Sequence, residues 1–172
     1  ESVDLNQAGL CTVILHRVNT PDATGQIEID ASAETVFAFL SDPANMGQIA
    51  EENRKVFRRA SRVGKVGTRF VGVNRNGWHV WPTFCRVSDV DPGNRYAFEV
   101  QLAPGVRVAR WQYDLEPTEQ GCRVIESTWD RRPAWLGTVS TPVTGVADRA
   151  EANSRNIAKT LIRLKDRIES GS

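Results

Sequence analysis

Two side chains of this sequence are the candidates to move a proton at neutral pH. His79 lies in "GWHVWPTFC" (residues 77–85), and an imidazole titrates naturally near working pH, as a general base should. Glu126 lies in "CRVIESTWD" (122–130), and its carboxyl would titrate high and suit acid–base work if it faced an apolar interior. His79 and Glu126 are therefore the catalytic candidates. Tyr96 and Tyr113 could hold a ligand carbonyl or hydroxyl, because buried phenols seek partners. Each residue also has a plainer reading. His79 could be an inert rim histidine beside a turn, Glu126 could pair with Arg107 or Arg110, and the tyrosines could pack in a core with satisfied hydroxyls. The sequence has no Ser-His-Asp set, phosphate-binding glycine loop or dinucleotide fingerprint. Cys11, Cys85 and Cys122 form no CxxC pair, so no structural zinc is expected, and no cofactor is called for. Free thiols in a reducing cytoplasm are the expected state.

The elements that must position these residues follow a clear order. "LCTVILHRV" near the start could be a strand, and "NTPDATG" after it reads as a turn or linker, so residues 1–24 form an N-terminal extension. "GQIEID" alternates as a strand does. "SAETVFAFLSDP" reads as a helix with Ser32 as N-cap, ended by Asp42-Pro43, and "ANMGQIAEEN" as a second short helix. From Val56 to Trp129 strands alternate with turns such as "VGKVG", "NRNG", "DPGN" and "TEQG" at roughly ten-residue intervals. Connections so short make an antiparallel meander, because parallel pairing needs long crossovers. A long amphipathic helix closes the chain, with Thr141-Pro142 as its expected start and Gly171 just past its end. Val146, Ala150, Asn153, Ile157, Leu161, Leu164 and Ile168 form its apolar stripe, and its expected length is about 40 Å. The class is α+β: a seven-stranded antiparallel sheet that curls around this helix and leaves space where the two part.

Strand alternation assigns the inner face. In β-phase with Cys85 and Val87, the residues Thr83, Trp81 and His79 point inward, while Trp78, Val80, Pro82 and Phe84 point outward. A bulge at Pro82, which cannot donate to a ladder, would exchange the two sets and send His79 to solvent. Phe70, Gly72 and Asn74 fall inside on the preceding strand, followed by Tyr96, Phe98 and Val100, then Trp111, Tyr113 and Leu115. On the last strand Val124, Glu126 and Thr128 alternate with Ile125, Ser127 and Trp129. The second set is the more apolar, so the residues alone leave both faces open.

At 172 residues the chain suffices for one domain, spanning 25–172, with a core that needs no metal or disulfide. A net charge of +1 excludes a generally basic nucleic-acid binder. Leu10 to Leu15 is too short an apolar run for a signal peptide or membrane span. "ENRKVFRRASRVGK" (52–65) is locally basic, either the solvated side of a hairpin or a dock for an acidic carrier protein, a phosphate-bearing ligand or an anionic membrane.

The order of elements, together with "IDASAETVFAFLSDPANM", "VGTRF", "CRVSDVDPGNRYAFEV", "YDLEPTEQGCRVIES" and "NIAKTLIRLKDRIE", resembles the START/birch-pollen-allergen superfamily (SRPBCC, helix-grip fold). The polyketide cyclase/dehydrase-like branch is the nearest in pattern, over about residues 25 to 170. Family members often carry a tryptophan near Ile49, which this chain lacks. The resemblance implies a cavity between sheet and long helix, and it favours Glu126 in the cavity wall. It brings no shared catalytic motif, since fold does not fix function. The expected ligand-binding wall is Phe70, Trp81, Thr83, Cys85, Tyr96, Phe98, Trp111, Tyr113, Asn153 and Ile157. Binding of a small hydrophobic ligand, aromatic or lipid-like, is the expected role. A polyketide cyclase or dehydratase using His79, Glu126 or a tyrosine is the alternative, and an interaction module using the basic hairpin 54–65 is a third. No nucleic acid and no stable membrane insertion are expected, and a homodimer is left open.

Overall fold

The computed structural model describes residues 20–51, 53–58, 64–103, 105–133, 136 and 148–171. Strand β1 (Ala23–Ile29) leads into helices α1 (Ala33–Leu40) and α2 (Pro43–Ile49). Strands β2 (Asn53–Arg58), β3 (Arg69–Asn76), β4 (His79–Asp91), β5 (Arg95–Ala103), β6 (Val106–Thr118) and β7 (Gly121–Asp130) follow, and helix α3 (Arg149–Glu169) comes last. The seven strands form one antiparallel sheet in the order β1-β7-β6-β5-β4-β3-β2. This is the expected α+β helix-grip architecture. Residues 1–19 of the extension, the Thr141-Pro142 start and residues 59–63 of the basic run lie outside the described residues.

Local chemistry explains the boundaries. The Ser32 hydroxyl accepts from the Thr35 N–H at the start of α1. Asp42 caps α2 through the Ala44 N–H, with Pro43 at a first-turn position that needs no donor. The described long helix starts at Arg149, later than Thr141-Pro142 suggested. Asp148 is in an extended conformation and accepts from the Glu151 N–H, which makes it the cap. With 21 residues, α3 is about 31 Å long, shorter than the 40 Å expected. Ala150, expected on the apolar stripe, is exposed, and Ala152 is buried instead. None of the described helices is long and apolar enough to cross a membrane.

Register shifts interrupt the ladder at Val87/Asp89 in β4 and around Gln101 in β5, where an extra residue bends a strand and tightens its twist. Pro82 causes no shift. It pairs with Val73 of β3 in an unbroken register, while pairing with β5 begins only at Phe84, so the proline faces a ladder on one side only. The inner face of β4 is accordingly Trp81, Thr83, Cys85 and Val87, all buried.

Helix α3 packs mainly on β1, β7 and α2. It lies close over Gly25 of β1, where a Cβ would stand 2.8 Å from Ile157 Cγ2, so any side chain there would force Ile157 to shift. Because the helix rests on this side of the sheet, the inner face of β3 to β6 is only partly covered. At one end α1 and the last turns of α3 fill the gap with Val36, Leu40, Leu164 and Ile168. At the other end the gap remains.

Candidate functional site

That gap is a cavity of about 190 Å³. Its wall takes Phe70 and Asn74 from β3, Trp81, Thr83 and Cys85 from β4, Phe98 and Val100 from β5, Trp111 and Tyr113 from β6, and Glu126 from β7. Asn153, Asn156 and Thr160 face it from α3, and Met46 from α2. Each strand contributes alternate residues, as the pleat requires. Nine of the expected site residues thus share one cavity: Phe70, Trp81, Thr83, Cys85, Phe98, Trp111, Tyr113, Glu126 and Asn153.

Three others stand elsewhere. His79 is the first residue of β4, half-buried beside the hairpin turn and outside the cavity wall. Its turn is made by Gly77, at φ +60°, and Trp78, a two-residue hairpin with glycine first. Tyr96 is fully buried beyond the cavity, against Phe98 at 6.2 Å between ring centroids. Ile157 is buried against β1 at Gly25. An inward direction therefore does not suffice to reach the cavity, since α1 packs on part of β5 and α3 on β1.

The polar centre of the wall is Glu126 with Tyr113. These residues are direct cross-strand neighbours in the β6–β7 register. The Tyr113 hydroxyl donates to Glu126 Oε1 at 2.9 Å, and Met46 Sδ lies 4.0 Å from the same hydroxyl. Arg110, a plainer partner for Glu126, faces the other way and meets Glu99 and Gln112 outside the sheet. Glu126 is 2% exposed, and its Oε2 has no hydrogen-bond partner. Burial pushes this carboxyl up to about 8, against the downward pull of the Tyr113 hydrogen bond. Glu126 is therefore mainly protonated at neutral pH, and with Oε1 accepting from Tyr113 a proton on Oε2 is free to be donated. A buried polar atom without a partner is rare enough to need a reason, and a ligand acceptor is one. Burial, and after it the charge of Glu126, raises the Tyr113 phenol well above its ordinary value, so it acts as a donor and not as a base.

The rest of the lining supplies shape and few reactive groups. Asn74 Nδ2 donates to Thr83 Oγ1 at 2.9 Å, which fixes both side chains. Burial pushes the Cys85 thiol up to about 12, leaving it neutral and a poor nucleophile. Phe70 meets Phe98 edge to face at 5.5 Å between centroids. At the mouth stand Asp130, Arg132, Leu136 and Arg149. Burial raises the Asp130 carboxyl, but bonds to Arg132 at about 3 Å outweigh it and hold the group below its usual range. Among the described residues, no group of three or more His, Cys, Asp or Glu could hold a metal ion.

"WDRRPAW" (129–135) reads in the sequence as a segment shaping the cavity mouth, with Trp135 as lid. Asp130 and Arg132 line the cavity, and Trp135 lies outside the described residues. The sequence reading passed over Met46, Asn156, Thr160 and Arg149. One signal was present: Arg149, Asn153, Asn156 and Thr160 recur at steps of three and four, a polar stripe at the start of a helix whose later turns are aliphatic.

Comparison with known proteins agrees with this geometry. No curated protein sequence matches the chain. A protein of Thermus thermophilus has a similar structure at a TM-score of 0.66 and 18% identity, covering 87% of this chain and 98% of that one. A polyketide-cyclase-like protein of Corynebacterium glutamicum is 22% identical at a TM-score of 0.57, with coverages of 85% and 90%. The di-domain ARO/CYC StfQ from the steffimycin biosynthetic pathway is 14% identical at a TM-score of 0.64, covering 86% of this chain and 50% of that one. Residues 20–169 match the model of a family described as polyketide cyclase / dehydrase and lipid transport, and the chain belongs to that family.

Proposed function

We propose that this protein binds a small, largely aromatic molecule in the cavity and engages one of its carbonyl or hydroxyl oxygens through Glu126. The observation that carries this reading is the buried, unpartnered Glu126 Oε2 in a cavity wall that includes Phe70, Trp81, Phe98, Trp111 and Tyr113. Apolar pockets with a few placed polar groups are the usual form of small-molecule sites. The size fits too. An apolar cavity of roughly 150 Å³ takes benzene, so about 190 Å³ accommodates a one- or two-ring compound. Free, buried Cys85 and Cys122 suit a reducing compartment.

The test is native mass spectrometry of protein purified from its own host, alongside Ala109→Trp, which places an indole in the cavity. The wild type should carry a bound small molecule that the variant lacks. A wild type that is empty and takes up no phenolic or ketone-bearing ring compound ends this reading.

A second reading is a cyclase- or dehydratase-type enzyme. The carboxyl near pH 8, hydrogen-bonded to a tyrosine, favours it, because a group poised close to working pH can both give and take a proton. Here Glu126 moves the proton and Tyr113 positions it. Glu126→Gln separates the two readings: it keeps an acceptor for Tyr113 and cannot titrate. If it retains ligand and loses turnover of a poly-β-ketone mimic, the role is catalytic. If the wild type binds such mimics without converting them, the role is carriage.

A further inference from the structure

The outer face of β2, β3 and β4 is unlike the remainder of the molecule. Between Asn53 and Ser88 there are nine Lys and Arg and no Asp or Glu, in a chain whose totals are 22 and 21. The described outer positions form an apolar centre with arginines at its two ends. Cross-strand register aligns Phe57, Val71 and Phe84 in one row, Val73 and Pro82 in the next, and Arg75 with Val80 beyond. Arg69 and Arg86 pair at the opposite end. Phe57 is 59% exposed, Val80 60%, Phe84 44%, and Trp78 at the hairpin tip 91%. The Arg75 side chain donates to the Gly77 carbonyl at 2.7 Å, which braces that turn.

We propose that this face docks the protein on an anionic lipid bilayer, with Trp78 and the central apolar row in the headgroup region and the arginines on lipid phosphates. Tryptophan prefers that interface, arginine stems lie along apolar surface while their heads stay wet, and each basic residue near an anionic leaflet adds about fivefold to partitioning. The charge decides against the other occupants. A second copy of the same face would bring like charges together. A single-stranded nucleic acid would need stacking platforms where Val71, Val73, Val80 and Pro82 stand. An acidic protein meets the arginines but gives the protruding Trp78 no defined pocket.

Position links the face to the cavity. In the antiparallel sheet the β3–β4 turn lies at the same end as the start of α3 and the last residues of β7, where the mouth residues Arg132, Leu136 and Arg149 gather. Trp81 and Asn74, directly behind the turn, are cavity wall. A docked protein would hold its open end close to the bilayer, whatever the cavity carries.

Vesicle flotation tests the proposal, with pure phosphatidylcholine against phosphatidylcholine doped with phosphatidylserine. The protein should float only with the doped vesicles and be released by salt. The triple reversal R69E/R75E/R86E should lose binding by about a hundredfold or more, at roughly fivefold for each charge removed, and W78A should reduce it several-fold. All four positions are exposed, and unchanged circular dichroism and melting verify the fold. The cavity-filled Ala109→Trp protein should float as the wild type does, so failure of docking and failure of ligand binding are read separately. A wild type that ignores phosphatidylserine, a reversal variant that floats normally, or retention on an acidic protein or RNA without flotation would each overturn the bilayer assignment.

Discussion

The space under the sheet is filled at one end and left open at the other, although the same strands and the same helix span both. At the filled end Val36 and Leu40 of α1, Val87 of β4, Val124 of β7 and Leu164 of α3 are all fully buried, and their chemistry is aliphatic. At the open end stand Trp81, Phe98, Trp111, Tyr113 and Glu126, with Asn153 and Thr160 across from them. Aliphatic side chains with few rotamers interlock and leave no room. Flat rings meeting edge to face, as Phe70 and Phe98 do, leave gaps that branched aliphatic chains would fill, and polar groups on the facing helix have no apolar partner to seek. The difference teaches that stability and binding are assigned to opposite ends of one core. It also gives a way to check that division.

The largest expected effect belongs to the filled end. Leu164→Ala should cost about 2–5 kcal/mol, because the neighbours of a close-packed leucine relax only partly into the space it leaves. Urea unfolding monitored by tryptophan fluorescence measures it. A cost below about 1 kcal/mol would mean that this end is as loosely filled as the other, and the comparison would fail.

Next in size is the pH dependence of the open end. Folding raises Glu126 from an ordinary 4.5 to about 8 by burial. The folded chain then keeps a proton that the unfolded chain has lost. Its contribution is full below about pH 4.5 and declines as pH climbs toward about 8, by on the order of 1 kcal/mol per unit. Glu126→Gln has no such proton. The variant should therefore gain stability relative to the wild type between about pH 5 and about pH 8, as read by urea unfolding at each pH. A constant difference across that range would mean that water reaches the carboxyl.

Much of this division was legible in the sequence. Alternation placed Trp81, Thr83 and Cys85 inward, and the structure keeps that phase because Pro82 lacks a β5 neighbour and so disturbs no second ladder. The turn glycines and the caps Ser32 and Asp42 marked the elements they start or end. Two things were not legible. Thr141-Pro142 and Asp148 with Glu151 are both sound start signals for a helix, and propensity alone does not rank them. Strand alternation and helical spacing also say which way Tyr96 and Ile157 point but not what they meet. That depends on how far α3 stands from each strand, which the contact of Ile157 with Gly25 sets at one side of the sheet. The cavity exists because of that tilt of contacts, and no local pattern encodes it.

The finest test holds chemistry constant and changes only the end. Val124 and Val100 are both inward strand valines; the first is fully buried in the filled end, and the second lines the cavity. Cutting either to alanine removes the same apolar atoms. At Val124 those atoms have neighbours on every side, and the loss should be about 2 kcal/mol from transfer and cavity together. At Val100 one side already borders empty space, so fewer dispersion contacts are forfeited and the loss should be about 1 kcal/mol or less. The Val100→Ala protein should also accept ligands one methyl group larger, which Val124→Ala should not. Equal costs at the two sites, with equal ligand range, would show that the cavity is packed as tightly as the core and that the two ends do not divide the work.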